Sequence, residues 1–113
     1  MNAPNRNKHV IVSRHPAAIE FIRRCGGVPN DAPVLTEATA EDVRGAIVYG
    51  NVPLHLAAEA FCVVAVEFDG KAPRGAEYTY EDMVNAGAYL NIYRVFTMEA
   101  LEDYCTIRGG DIP

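Results

Sequence analysis

The apolar positions of the chain come in short β-branched blocks separated by segments that carry helix start signals. Blocks at residues 9–13 (His9-Val10-Ile11-Val12-Ser13), 46–49 (Ala46-Ile47-Val48-Tyr49) and 63–68 (Val63-Val64-Ala65-Val66-Glu67-Phe68) each read as a buried strand. Pro16 follows the first block, and proline suits the first turn of a helix because its missing N–H costs nothing there. Ala17, Ala18, Ile19, Phe21 and Ile22 continue that helix until Gly26-Gly27 stops it. Pro53 opens residues 54–60 in the same way, after Gly50 ends the second block. Between these units, a linker with Pro29 and Pro33 leads to a short strand at Val34-Leu35 and then to Thr39-Ala40-Glu41-Asp42, which caps one helical turn. Beyond a loop at residues 69–75, Thr79 and Asp82 have capping-box spacing. The helix expected from there runs through about Arg94, with Met83, Gly87 and Leu90 on one face. A short helix is expected at residues 98–104.

Strands alternating with helices predict an α/β fold, a small Rossmann-like domain whose mainly parallel sheet is flanked by helices through right-handed crossovers. With 113 residues, the expectation is one domain spanning 1–113, with loose ends at 1–8 and 106–113. Such sheets bind ligands beyond the carboxyl ends of their strands, where helix N-termini present free N–H groups. Two turns belong there: residues 13–16 and residues 50–55.

Composition narrows the ligand. A formal charge of −5 opposes binding to long nucleic acid, which needs many Lys and Arg contacts to phosphates, yet it leaves room for a compact anion in one basic pocket. No apolar run reaches the roughly 20 residues of a membrane span, and residues 1–8 lack the apolar stretch of a signal peptide, so a cytoplasmic protein without membrane contact is expected. Cys25, Cys62 and Cys105 are odd in number and widely spaced, which reads as reduced thiols, with Cys62 buried. Neither familiar phosphate-binding glycine loop is present, and no cofactor is expected.

Chemistry concentrates in the two turns. Arg14 offers a planar fork of donors suited to phosphate, Ser13 a hydroxyl and His15 an imidazole that titrates near neutrality, all just before a helix. Together they make an anion site with a proton-transfer group; the competing reading has Ser13 or His15 capping the helix while Arg14 pairs with a surface carboxylate. At the second turn Asn51 can reach a phosphate or base edge, and His55 and Glu59, four apart, share a helix face, where Glu59 can orient the imidazole or the two can form a solvated pair or cap the helix. That pair could begin a metal site, but no third ligand is evident, so no metal is expected. Arg74 sits in a loop from which it can close over a ligand or remain a solvated arginine. Tyr78, Tyr80, Tyr89 and Tyr93 can stack on bases or serve as core and interface residues.

These blocks resemble the small CRISPR-associated family here called Csx-sixteen, an accessory of type III systems. The resemblance rests on Val12-Ser13-Arg14-His15-Pro16 through Ala18-Ile19-Glu20, on Gly50, Pro53 and Leu56-Ala57-Ala58-Glu59, and on Arg74-Gly75 through Glu81-Asp82-Met83, Gly87-Ala88 and Tyr93-Arg94-Val95. It departs where Asn51 stands for a usual threonine and His55 for a usual asparagine, across residues 28–45, and in the tail after Phe96.

The resemblance implies a ring nuclease that opens cyclic oligoadenylate, cyclic tetra-adenylate above all, and so switches off type III signalling. On that implication Arg14 and the first helix's N–H groups hold the phosphate and His15 or His55 moves the proton, without a metal. A homodimer suits a ligand with rotational symmetry, with equivalent turns facing one ring. Two alternatives remain: a sponge that holds the ring without cutting it, and a viral or accessory protein-interaction module that inhibits a CRISPR complex.

Overall fold

The computed structural model describes residues 8–73 and 77–102. Its elements run β1 (His9–Val12), α1 (Pro16–Cys25), β2 (Val34–Leu35), α2 (Ala40–Val43), β3 (Ile47–Tyr49), α3 (Leu54–Ala57), β4 (Cys62–Phe68), α4 (Tyr80–Asn85) and β5 (Ala88–Tyr93). The sheet has the order β2-β1-β3-β4-β5, parallel except for the antiparallel β4–β5 pair. This is the expected Rossmann-like α/β arrangement.

Alternation along the strands divides the core into two layers. Ile11, Tyr49, Val64 and Val66 face α1 and α4, with Phe21, Ile22 and Met83. Val10, Val48 and Val63 face the other way, with Val43, Leu56 and Ala57 from α2 and α3. A strand's side chains point alternately up and down, so a run such as Val63-Val64-Ala65-Val66 feeds both layers, which is why the central strands are apolar throughout. Among the described residues no helix is long and apolar enough to cross a membrane.

Local signals act as read at most boundaries. Thr39 and Thr79 each accept the N–H of the aspartate three residues on, while Asp42 and Asp82 reach back to the threonine N–H, two complete capping boxes. Hydrogen bonds from Thr39 hold the Asp42 carboxyl below its ordinary pKa. Lys8 departs from the expected loose start, because its carbonyl accepts the Ile47 N–H and its ammonium donates to the Glu41 carbonyl.

Three expectations are corrected. The helix expected through Arg94 ends at Asn85, Gly87 turns the chain with φ +77°, and β5 follows as an edge strand. The helix expected over residues 54–60 is one turn, Leu54–Ala57. Cys62 opens β4 half-buried, with burial raising its thiol pKa, and Cys25 is exposed; both are free thiols. The short helix expected at 98–104 is seen at residues 98–102, and Tyr104 and Cys105 lie outside the described residues.

Candidate functional site

The chain leaves β1 through α1 to β2 on one side, and β3 lies on the other side of β1, so the strand order reverses between β1 and β3. A crevice outside the carboxyl ends of such a strand pair is where open α/β sheets take their ligands. Both expected turns border it. Ile11 pairs with Tyr49, which sets the corner after β1 beside the corner after β3. Gly50 makes that closeness possible: with φ +131°, a Cβ here would stand 2.1 Å from the Val12 carbonyl oxygen.

At the first corner, the Ser13 hydroxyl accepts the His15 N–H at 3.1 Å and so shapes the turn, while keeping its own proton to donate. Arg14 points outward. Its Nε donates to the Thr36 carbonyl at 3.1 Å and its Nη2 pairs with Glu37 Oε1 at 2.6 Å, with both side chains largely exposed. The pairing with a surface carboxylate, weighed from sequence as the competing reading, is therefore the one present. An exposed ion pair of this kind contributes about 0.2–1 kcal/mol, little enough for a phosphate to displace Glu37.

His15 occupies the N-cap position of α1, but its side chain caps nothing. The imidazole lies flat on Tyr78, centroids 3.8 Å apart and planes at 14°. Both ring nitrogens are shielded from solvent and have no hydrogen-bond partner among the described residues. Leaving such a group unpaired costs about 1–3 kcal/mol, so His15 is primed to accept a partner that reaches it. No side-chain cap quiets α1, whose ten residues give its N-terminus a partial positive charge.

At the second corner the amide of Asn51 is committed: Nδ2 donates to the Val66 carbonyl at 3.0 Å and Oδ1 accepts the Val66 N–H at 2.8 Å. It extends the β3–β4 ladder past the end of β3 rather than facing a ligand. His55 is exposed on the single turn of α3, without a hydrogen bond or ion pair among the described residues.

Glu59 is not brought to this corner. The helix that was to align it with His55 stops at Ala57; the Glu59 carbonyl accepts the Gly45 N–H and its carboxylate takes Arg44 Nε at 3.2 Å, at the opposite edge of the sheet. Arg44 also pairs with Glu41, and the two carboxylates raise its pKa. The Arg74 expectation lies outside the described residues. Among the described residues no three His, Cys, Asp or Glu side chains gather as a metal-holding group.

A cavity of about 440 Å³ opens at the amino end of β1, against Lys8, His9, Asp31, Glu41 and Asp42. Its carboxylates disfavour an anion, the Lys8 ammonium donates to the Glu41 carbonyl, and His9 Nδ1 lies 3.0 Å from the Tyr49 hydroxyl. The corners after β1 and β3 instead bring together the uncapped N-terminus of α1, the His15 imidazole and the exposed Arg14–Glu37 pair.

The residue that spacing could not single out is Tyr78. It was one of four tyrosines open to a stacking role, and only the packing of α1 beside residues 77–79 chooses it. Residues 10–96 match the family model described as "Putative CRISPR-associated protein (Cas_VVA1548)". Comparison with curated proteins and with solved structures finds no match.

Proposed function

This chain belongs to the CRISPR-associated family Cas_VVA1548, and on that premise we propose that it is a ring nuclease that binds cyclic oligoadenylate, most favourably the tetra-adenylate, in the β1–β3 crevice. The observation that carries the reading is His15: an imidazole with two shielded nitrogens, unpartnered among the described residues, at the N-terminus of a ten-residue helix, beside Arg14 and across the crevice from the His55 corner. The narrower resemblance to Csx-sixteen supplies the substrate.

The chemistry asks little of the protein. A ribose 2′-oxygen attacks the adjacent phosphorus as the bond from phosphorus to the 5′-oxygen breaks, leaving a 2′,3′-cyclic phosphate and a 5′-hydroxyl. One histidine takes the 2′-hydroxyl proton and another returns a proton to the leaving oxygen. Arg14, once released from Glu37, and the first-turn N–H groups of α1 offset the charge that grows on the phosphate. Holding the attacking and leaving oxygens in line supplies the remaining acceleration.

A second reading, sequestration without cleavage, draws on the same site. With both His15 nitrogens shielded from solvent under Tyr78 and Arg14 held on Glu37, a ring can settle against the corner without reaching the His15 imidazole. Labelled cyclic tetra-adenylate incubated with the protein and EDTA separates the two. Linear product from wild type that is lost in His15→Ala supports the nuclease, and ring that stays bound and intact supports the sponge. Absence of both binding and cleavage refutes both and favours a protein-interaction role.

A further inference from the structure

β5 ends the sheet, bonded to β4 on one side and, among the described residues, to no strand on the other. The ladder fixes which of its groups face outward. Asp69 donates to the Gly87 carbonyl, so that pair is hydrogen-bonded; counting by twos, Tyr89, Asn91 and Tyr93 exchange bonds with β4. Ala88, Leu90 and Ile92 then turn their N–H and C=O groups away from β4. The same phase shows on β4, where Val66, opposite Leu90, commits its backbone to Asn51.

Exposed edges are normally blunted by Lys, Pro, a bulge or a covering element. Among the described residues β5 carries no Lys, Pro or bulge and no strand covers it: Ala-Tyr-Leu-Asn-Ile-Tyr is uncharged in a chain of charge −5, and its pairing with β4 is unbroken over all six residues. Ile92 is 67% exposed, and Phe96 and Met98 beyond it are exposed as well.

We infer that β5 pairs antiparallel with β5 of a second copy, about a two-fold axis normal to the sheet, joining two five-stranded sheets into one. With Leu90 on the axis, every outward N–H of Ala88, Leu90 and Ile92 gains an acceptor. Leu90 then faces its own counterpart, and the exposed Ile92 side chain faces Ala88 of the second copy. The strand is its own complement, apolar against apolar, and a neutral edge carries no charge pattern to select a different partner. Glu67, the one acidic residue of β4 and β5, lies one strand in; the two copies hold theirs roughly 16 Å apart, about three strand spacings across and two residues along. That exceeds the Debye length of about 8 Å at physiological salt, so the acidic chains tolerate the contact.

This axis points the carboxyl edges of the two sheets in opposite directions. Each copy keeps its own β1–β3 crevice, so equivalent turns do not face one shared ring. That consequence, one ring per chain, rests on the ring-binding reading; the dimer does not.

One strand edge buries an area near the low end of specific interfaces, below about 1,200 Å² in total, so dissociation on the order of micromolar is expected. Sedimentation of the full chain across that range should show a monomer–dimer equilibrium. Ile92→Lys and Ile92→Pro leave the β4–β5 bonds in place, because the Ile92 N–H faces outward, and each should weaken dimerisation at least ten-fold with an unchanged far-ultraviolet circular dichroism spectrum. Hydrogen exchange at Leu90 and Ile92 should be slow in the wild-type dimer and fast in Ile92→Lys. A wild type that stays monomeric, or a dimer that both variants form equally well, overturns the inference. Calorimetric stoichiometry with cyclic tetra-adenylate is read separately: absence of binding tells against the ring reading and leaves the sedimentation result standing.

Discussion

Replacing Gly50 by alanine tests the geometry on which the crevice depends. The added Cβ would stand 2.1 Å from the Val12 carbonyl oxygen, on a residue whose φ is +131°. Two costs follow. Holding a non-glycine residue in sparsely populated backbone space takes about 1–3 kcal/mol. Relieving the clash moves the corner by roughly 1 Å and strains the carboxyl end of the β1–β3 ladder, at about 0.5–1.5 kcal/mol for a weakened hydrogen bond. The sum, about 2–4 kcal/mol, corresponds to a fall in Tm on the order of 10–25 °C for a domain of this size. Gly27→Ala is the internal control. Gly27 also has positive φ, +64°, but a Cβ there meets nothing within 4 Å, so only about 1–2 kcal/mol of left-handed strain is expected. Urea unfolding of the three proteins measures both costs. A Gly50→Ala variant within 1 kcal/mol of wild type, or one no less stable than Gly27→Ala, refutes the claim that close approach of the two corners requires glycine.

Other substitutions probe the site and the open sheet face. Asn51→Ala should lower stability by about 1–3 kcal/mol in thermal unfolding, because it leaves the Val66 N–H and C=O without the partners they have now. Arg14→Ala should change stability by less than about 1 kcal/mol, since its ion pair is exposed, yet weaken binding of cyclic tetra-adenylate at least ten-fold; equal affinity removes Arg14 from the site. Hydrogen bonds from Tyr93 and then Asn91 hold the Glu67 carboxyl below its ordinary pKa, so its contribution to stability is present above the unfolded value of about 4.3 and is lost as pH falls through the lower folded value. Tyr93→Phe should move Glu67 back towards the ordinary value in a carboxyl-carbon NMR titration, and an unmoved titration would show that Tyr93 is not the cause.

The β5 segment, expected as part of a helix, shows where sequence patterns lose their power. Tyr89 and Tyr93 are four apart, a spacing that puts two residues on one face of a helix and equally on one face of a strand, so it could not distinguish the two. Met83 and Leu90, expected with Gly87 on one helix face, both contribute to the layer under α1, but from α4 and β5 respectively. The turn at Gly87 separates them. A Cβ there would stand 2.8 Å from the Asp69 side chain, a contact that exists only once β4 and β5 are paired.

What the chain dictated by itself is what neighbours in sequence can decide. The threonine–aspartate caps, the prolines that open α1 and α3, the apolar blocks that become buried strands and the two corners at their carboxyl ends all follow from interactions within a few residues. The partners of the polar groups follow from which strands lie side by side. Arg14 meets Glu37 because β2 flanks β1, Asn51 meets Val66 because β4 flanks β3, and Glu59 turns to Arg44 because one helical turn is too short to return it to His55. His15 finds Tyr78 only because α1 and the residues before α4 cover the same side of the sheet. Hydrogen bonds and ring stacking act over a few ångströms, and residues remote in sequence come within that distance only after the sheet has assembled.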